Sequence, residues 1–261
     1  MTQEGPIELL SQTENTQPAL LTAGVAVWRV WQELGGDAPA IMAGHSLGEY
    51  TALVAAGALS FSDGVSLVRD RGRYMQEAVP AGQGGMAAII GLDDEQVIKV
   101  CADIAGDDVL QAVNFNAPGQ VVIAGSAAAI ERAAPAMKEA GAKRALPLPV
   151  SIPAHSSLMS PASARLAERL GGIKVNLPTV PVLHNCNVQV AKSADEVKAN
   201  LVSQLDSPVR WVESVVAMHQ QGIDTFIESG PGKVLGGMVK RIIKGVNVKC
   251  IEKPDAFGEL I

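Results

Sequence analysis

The stretch IMAGHSLGEYTALVAAG, positions 41 to 57, constrains this chain more than any other. APAIMAG reads as a short buried strand, and LGEYTALVAAG as a helix with Leu47, Tyr50, Leu53 and Val54 on one face and Gly57 as its stop. Only Gly44-His45-Ser46-Leu47-Gly48 is left to join them. A strand that opens directly into a helix belongs to a layered α/β fold. Glycines at both ends let the backbone turn where side chains would obstruct it, and the turn pushes the Ser46 hydroxyl out at the sheet edge. The pattern is G-x-S-x-G, the nucleophile elbow. The helix behind it aims free N–H groups and a positive dipole end at the same spot, which suits a developing oxyanion. A plain serine N-cap is the alternative for these five residues alone; the flanking strand and helix favour the nucleophile.

The remaining elements extend the layered reading. Residues 16–34 predict a helix, with Thr16 as cap, Pro18 in the first turn, and Leu21, Val25 and Trp28 along one stripe. Residues 62–78 predict another, capped at Ser62 and ended by Pro80. From 84 to 149 the rhythm becomes β-α-β-β-α-β, the order of the ferredoxin-like split unit. This predicts a subdomain (84–149) inserted between two segments of a larger core (1–83 and 150–261). The outer segments add helices near 160–170, 195–204, 207–221 and within GPGKVLGGMVKRIIKG, and short strands in TVPVLHN and IDTFIESG. Helices alternating with short buried strands predict an α/β core around a largely parallel sheet.

Composition removes several classes of function. With 21 basic and 27 acidic residues the formal charge is −6, so no nucleic-acid-binding face is expected. Cys101, Cys186 and Cys250 are far apart and form no C-x-x-C pair, which predicts thiols in a reducing compartment without a metal site. The first residues lack the apolar core of a secretory signal, and no run reaches the roughly 18 apolar residues of a membrane span. The expectation is a soluble cytoplasmic protein with no membrane partner, metal or cofactor.

A serine nucleophile needs a base. His45 adjoins the serine, and its side chain diverges from it. His219 lies near a helix end facing solvent, and His184, in VLHNC, is ambiguous. His155, in SIPAHSSLM, follows an extended proline-containing segment that can carry it over the sheet edge, so it is weakly preferred. No aspartate stands out to orient it. Arg71, in LVRDRGRYMQ, offers a bidentate fork for a carboxylate; set among Arg69, Asp70 and Arg73, it reads on its own as part of a solvated helix face in preference to that fork.

Five stretches in order, QPALL, GHSLGEY, RGRYMQEAVP, NFNAPGQVVIAG and ALPLPVSIPAHSSLM, followed by GPGKVL, resemble the malonyl-CoA:acyl-carrier-protein transacylase family of bacterial fatty-acid synthesis. The resemblance implies an α/β hydrolase-like core plus a ferredoxin-like subdomain. It implies that malonyl-CoA acylates Ser46, with His155 as base, and that acyl carrier protein then takes the malonyl group. By position it assigns the Gln204 carbonyl to orient His155, Leu47 N–H to the oxyanion, Arg71 to the malonyl carboxylate and Asn116 to the pocket wall. Ala154, a small residue before the base, leaves malonyl or methylmalonyl open. The family's Gly-Gln-Gly-Ser-Gln loop, which supplies a second oxyanion donor, is not in this sequence. A protein that truly started at Met1 is expected to be about a hundredfold or more slower for want of it; a misplaced start or a fragment is the alternative.

Acyl carrier protein is acidic, as is this chain. Lys240 and Arg241 on the last helix, with Lys143 and Arg144, form the expected local basic dock. Two other functions share the elbow: a patatin-like serine acyl hydrolase, and a truncated paralogue that binds carrier protein without turnover.

Overall fold

The structure is a computed structural model that describes residues 5–258. Residues 1–4 and 259–261, at the ends of the two outer segments, lie outside the described residues. In chain order the elements are α1 (Ile7–Leu10), α2 (Thr13–Glu33), β1 (Met42–Ala43), α3 (Leu47–Ala55), α4 (Phe61–Ala78), β2 (Gly84–Ile90), α5 (Asp94–Ala105), β3 (Leu110–Ala117), β4 (Gln120–Ser126) and α6 (Ala127–Glu139). They continue as β5 (Arg144–Pro147), α7 (Ser160–Gly171), β6 (Val182–Leu183), α8 (Ala194–Asp206), α9 (Trp211–Gln220), β7 (Thr225–Ser229), α10 (Val234–Ile242) and β8 (Asn247–Ile251). Among the described residues no helix is long and apolar enough to cross a membrane.

The strand pairs outside residues 84–147 are parallel, β1 with β6 and β7 with β8, and among the described residues they form two separate two-stranded pieces. The strands expected in APAIMAG and TVPVLHN shrink to two residues each. Pro181 directly precedes β6 and Pro39 lies shortly before β1, and proline has no N–H to extend a ladder. Helices do most of the burying. Leu21 of α2, Leu53 of α3, Leu67 of α4, Leu166 of α7 and Leu201 of α8 meet in one apolar cluster.

Between Gly84 and Pro147 four strands form an antiparallel sheet in the order β3-β4-β2-β5. Helices α5 and α6 contribute Val97, Ala133 and Met137 to a core shared with Ile89 and Ile123 of the strands. Met86, Val113, Val122 and Ala124 form a second cluster, against which Ala154 packs. The edge strand β3 reaches the rest of the molecule through the backbone: Phe115 N–H donates to Val209 C=O, and Val209 N–H to Val113 C=O.

That pairing explains why the helix expected from residue 207 begins only at Trp211. Residues 208–210 run alongside β3, and Pro208 disfavours helix at the residue before it. Two other helix starts differ from expectation. α2 begins at Thr13, so Pro18 sits inside the helix and removes one i→i−4 bond instead of occupying the first turn. Thr16 is likewise internal and donates its hydroxyl back to Gln12 C=O at 3.1 Å. α4 is capped by Ser60, whose Oγ accepts from Asp63 N–H at 3.0 Å, and not by Ser62. β8 has no counterpart among the expected strands: NVKCI is short, carries a lysine, and pairs with β7 only through tertiary contact.

One close approach sets the geometry behind the elbow. A Cβ on Gly72 of α4 would lie 2.7 Å from Glu14 Cα of α2, so the two helices cross nearly backbone to backbone. Gly72→Ala should force them apart and destabilise the fold by about 1–3 kcal/mol. Urea denaturation checks this, and an unchanged midpoint would contradict it.

Candidate active site

The elbow is held in an unusual backbone state. Ser46 has φ +50° and ψ −107°, a conformation that costs a non-glycine residue about 1–3 kcal/mol. Gly44 is required there, since a Cβ would fall 1.9 Å from the Gly48 carbonyl carbon. Gly48 is not sterically required: a Cβ on it would meet nothing within 4 Å. Asn185, just past β6, clamps the turn. Its Oδ1 accepts from Ser46 N–H at 2.7 Å, and its Nδ2 donates to Gly44 C=O at 2.7 Å. From α8, Gln204 Nε2 donates to Ser46 C=O at 2.9 Å.

Behind this clamp lies Glu49, fully buried. Its Oε1 lies 2.7 Å from His184 Nδ1, and its Oε2 accepts from Asn185 N–H at 2.9 Å and Gln204 Nε2 at 3.0 Å. A buried carboxylate is tolerable when donors satisfy it in this way.

The Ser46 hydroxyl does not cap α3. Its Oγ lies 2.7 Å from His155 Nε2. His155 Nδ1 lies 2.7 Å from Gln204 C=O, and a carbonyl only accepts, so the proton sits on Nδ1 and Nε2 is bare toward the serine. His155 N–H also donates, to Leu205 C=O at 3.1 Å. Both carbonyls belong to the last turn of α8, where the helix supplies no donors of its own. That negative helix end is also where a transient imidazolium is favoured. In the resting state His155 is neutral, its pKa pushed down from 6.5 to about 3, chiefly by burial and next by the charge of Arg71.

Arg71 belongs to the buried face of α4 at 2% exposure, while Arg69 and Arg73 of the same helix are exposed. Its Nη2 donates to Ser46 Oγ at 3.2 Å and Gln204 Oε1 at 3.0 Å, and its Nη1 to Gln17 Oε1 at 2.7 Å. The guanidinium carbon lies 5.2 Å from the Tyr50 ring centroid. Burial lowers the Arg71 pKa from its ordinary value, against the pull of Tyr50 and Glu49.

His45 turns away from the serine. Its Nε2 lies 2.8 Å from Oδ1 of Asn116, which is buried on β3, and its ring stands 5.7 Å from that of Trp211. Leu47 is the first residue of α3, and among the described residues no acceptor takes its N–H. Since Ser46 N–H is committed to Asn185, Leu47 supplies the free donor of the elbow. His184 is buried against Glu49, and His219 bonds Ile223 C=O and Asp224.

The four basic residues are exposed. Arg241 of α10 donates to Gln120 Oε1 and to Pro118 C=O, on the turn between β3 and β4. Lys143 lies against Gly91, whose N–H donates to Gly119 C=O of that same turn. Arg144 opens β5 and Lys240 lies on α10.

Sequence reasoning passes over Gln17, Glu49, Asn185 and the Gln204 side chain. A signal exists for two of them: Gln17 stands four residues before Leu21 and Glu49 four before Leu53, polar residues on faces that the apolar pattern marks as buried.

A serine–histidine pair at a strand–helix elbow, beside a buried arginine, is a constellation for acyl transfer through the serine. The acyl transferase domain family matches residues 2–253, and the chain belongs to it. It is 56% identical over 258 residues to the malonyl CoA-acyl carrier protein transacylase of Escherichia coli K12, covering 99% of this chain and 84% of that protein. An acyl carrier protein S-malonyltransferase from Vibrio cholerae superposes with a TM-score of 0.97 at 53% identity, over 99% of this chain and 85% of the other. A malonyl-transacylase in complex with its type II PKS acyl-carrier protein superposes with a TM-score of 0.98 at 50% identity, over 99% and 84%.

An imidazole must be unprotonated to take a serine proton, and the pKa of His155, 2.7 Å from Ser46 Oγ, lies well below 6.5. Phosphonylation of Ser46 by a fluorophosphonate should therefore stay level from about pH 8 to about pH 5 and fall only below that. Stopped-time labelling measures it; a half-fall near pH 6.5 would contradict the assignment.

Proposed function

We propose that this acyltransferase moves a malonyl group from coenzyme A to the phosphopantetheine thiol of acyl carrier protein, through a malonyl-Ser46 intermediate. The observation that carries the reading is a buried guanidinium within 3.2 Å of the nucleophile and bonded to neutral groups. An acyl group ending in a carboxylate uses that charge, and an apolar acyl chain has no use for it. This argues against a patatin-like lipase. The names of the relatives point to the same substrates.

In the first half-reaction Ser46 Oγ attacks the malonyl thioester carbonyl as its proton passes to His155 Nε2. The oxyanion forms near Leu47 N–H. Collapse breaks the C–S bond, and the coenzyme A thiolate leaves with the proton from His155. In the second, the carrier thiol gives its proton to His155 and attacks the malonyl ester, and Ser46 recovers the proton on leaving. Gln204 holds the imidazole by its carbonyl, which is all a dyad needs for tautomer and direction. Arg71 binds the malonyl carboxylate, and Asn116, tied to His45, lines the pocket. No cofactor takes part. The role fits bacterial fatty-acid synthesis in the cytoplasm, where Cys101, Cys186 and Cys250 stay free thiols.

Lys143, Arg144, Lys240 and Arg241 dock the carrier protein. Their support is contiguity: Arg241 and Lys143 adjoin one turn, so the charges of α10 and of the small sheet act on one partner surface.

Intact-mass measurement after mixing with malonyl-CoA should show a malonyl adduct on Ser46 that carrier protein removes. Ser46→Ala should abolish it, and His155→Ala should slow it by about 10²–10⁴; a full adduct on Ser46→Ala would sink the proposal. Charge reversal at Lys240 and Arg241 should raise the apparent KM for carrier protein while leaving self-malonylation intact. Unchanged kinetics with carrier protein would remove the docking surface.

A further inference from the structure

Among the described residues, the arginines in ion pairs meet carboxylates at exposed or partly exposed positions: Arg73 and Arg169 with Asp70, Arg132 with Asp108, Arg165 with Glu77, Arg210 with Glu213. Arg71, the buried one, has no carboxylate within ion-pair distance among the described residues. Its Nη1 meets Gln17 and its Nη2 meets Gln204, and both acceptors are amide oxygens. Leaving a buried cation without a counter-charge is costly, so the arrangement calls for a reason.

We infer that Gln17 is the positioning residue that sets acyl-group specificity, by pinning Arg71 without neutralising it. The inference rests on the malonyl reading above. Gln17, on α2, is 5% exposed. Its Nε2 donates to Thr13 Oγ1 at 2.8 Å and contacts Met75 Sδ at 3.6 Å. Those contacts turn its oxygen toward Arg71, the only sense in which the amide fits, since a guanidinium has donors and no acceptor. The backbone-close crossing at Gly72 brings α2 near enough for this side chain to reach.

Gln204 completes the second half of the clamp. Its Oε1 faces Arg71 while its Nε2 faces Glu49, so an amide stands between the buried cation and the buried anion. The Glu49 oxygens are taken up by His184, Asn185 and Gln204. The Arg71 charge is thus held in place, directed at Ser46 Oγ, and left for a carboxylate that arrives with the substrate. A glutamate in place of Gln17 would fit the same space and supply that carboxylate permanently.

The test compares the full chain with Gln17→Glu and Gln17→Met, each checked for native circular dichroism. Single-turnover acylation of Ser46 is followed by intact mass with malonyl-CoA and with acetyl-CoA, which lacks the terminal carboxylate. Gln17→Glu should lower the malonyl-to-acetyl ratio of kcat/KM by about 10- to 100-fold, the size of one charge-assisted interaction. Gln17→Met, neutral but unable to pin Nη1 by an amide oxygen, should lower the ratio by a smaller factor, mainly through KM for malonyl-CoA. A merely structural role would slow both substrates together. A ratio equal to wild type in whichever variant folds overturns the inference. A wild-type chain that acylates with acetyl as readily as malonyl overturns the malonyl reading and this inference with it, and is told apart because it appears before any substitution.

Discussion

The last turn of α8 is where the site is held together, through Gln204. Its carbonyl, left without a helical donor, fixes the His155 tautomer. Its side-chain amide donates to the Ser46 carbonyl and to Glu49, and accepts from Arg71. One residue thus registers Ser46, His155 and Arg71 against each other. Because its backbone and side chain serve different partners, the positions of Ser46, His155 and Arg71 are coupled through a single helix end. An elbow in a costly backbone state persists only where such neighbours over-determine it, and here Asn185 and Gln204 both grip its peptide groups.

The electrostatics follow from that wiring. His155 is buried beside a cation and therefore neutral. An imidazolium at this position would be favoured by the carbonyls of the helix end and disfavoured by Arg71. A substrate carboxylate on Arg71 would relieve that repulsion at the moment the proton moves. Glu49 lies one layer back with its oxygens taken up by three residues, so the charge nearest Ser46 is the positive one of Arg71. Small polar differences do this work: amides where carboxylates would be expected, and a carbonyl where a triad would use an acid.

Much of the framework is legible along the chain because it is local. The β-α-β-β-α-β order between 84 and 149 is written in alternation and turn residues, and the sheet order β3-β4-β2-β5 follows that topology. The elbow is legible for the same reason, since strand, glycine corner and helix are contiguous. The errors also have local causes. Pro18 reads as a first-turn residue although a longer helix absorbs it, and Ser62 reads as a cap although Ser60, which fits equally well, is the one used. Residues 207–210 read as helix because nothing nearby announces that β3 will claim Val209.

By itself, then, the sequence determined an α/β chain with a serine at a strand–helix corner and, through its resemblance, the family and the positions to watch. These rest on contiguous patterns of apolar spacing, glycine and turn chemistry, which short segments encode. Tertiary structure alone decided that Arg71 is buried and not solvated, that Gly48 is sterically free while Gly44 is not, and that Gln17, Glu49, Asn185 and Gln204 form one network. Those facts depend on contacts between residues as far apart in sequence as Ser46 and Gln204, and on which face of α4 turns inward. Hydrogen-bond partners are chosen by the packing of helices, and no local pattern records that choice.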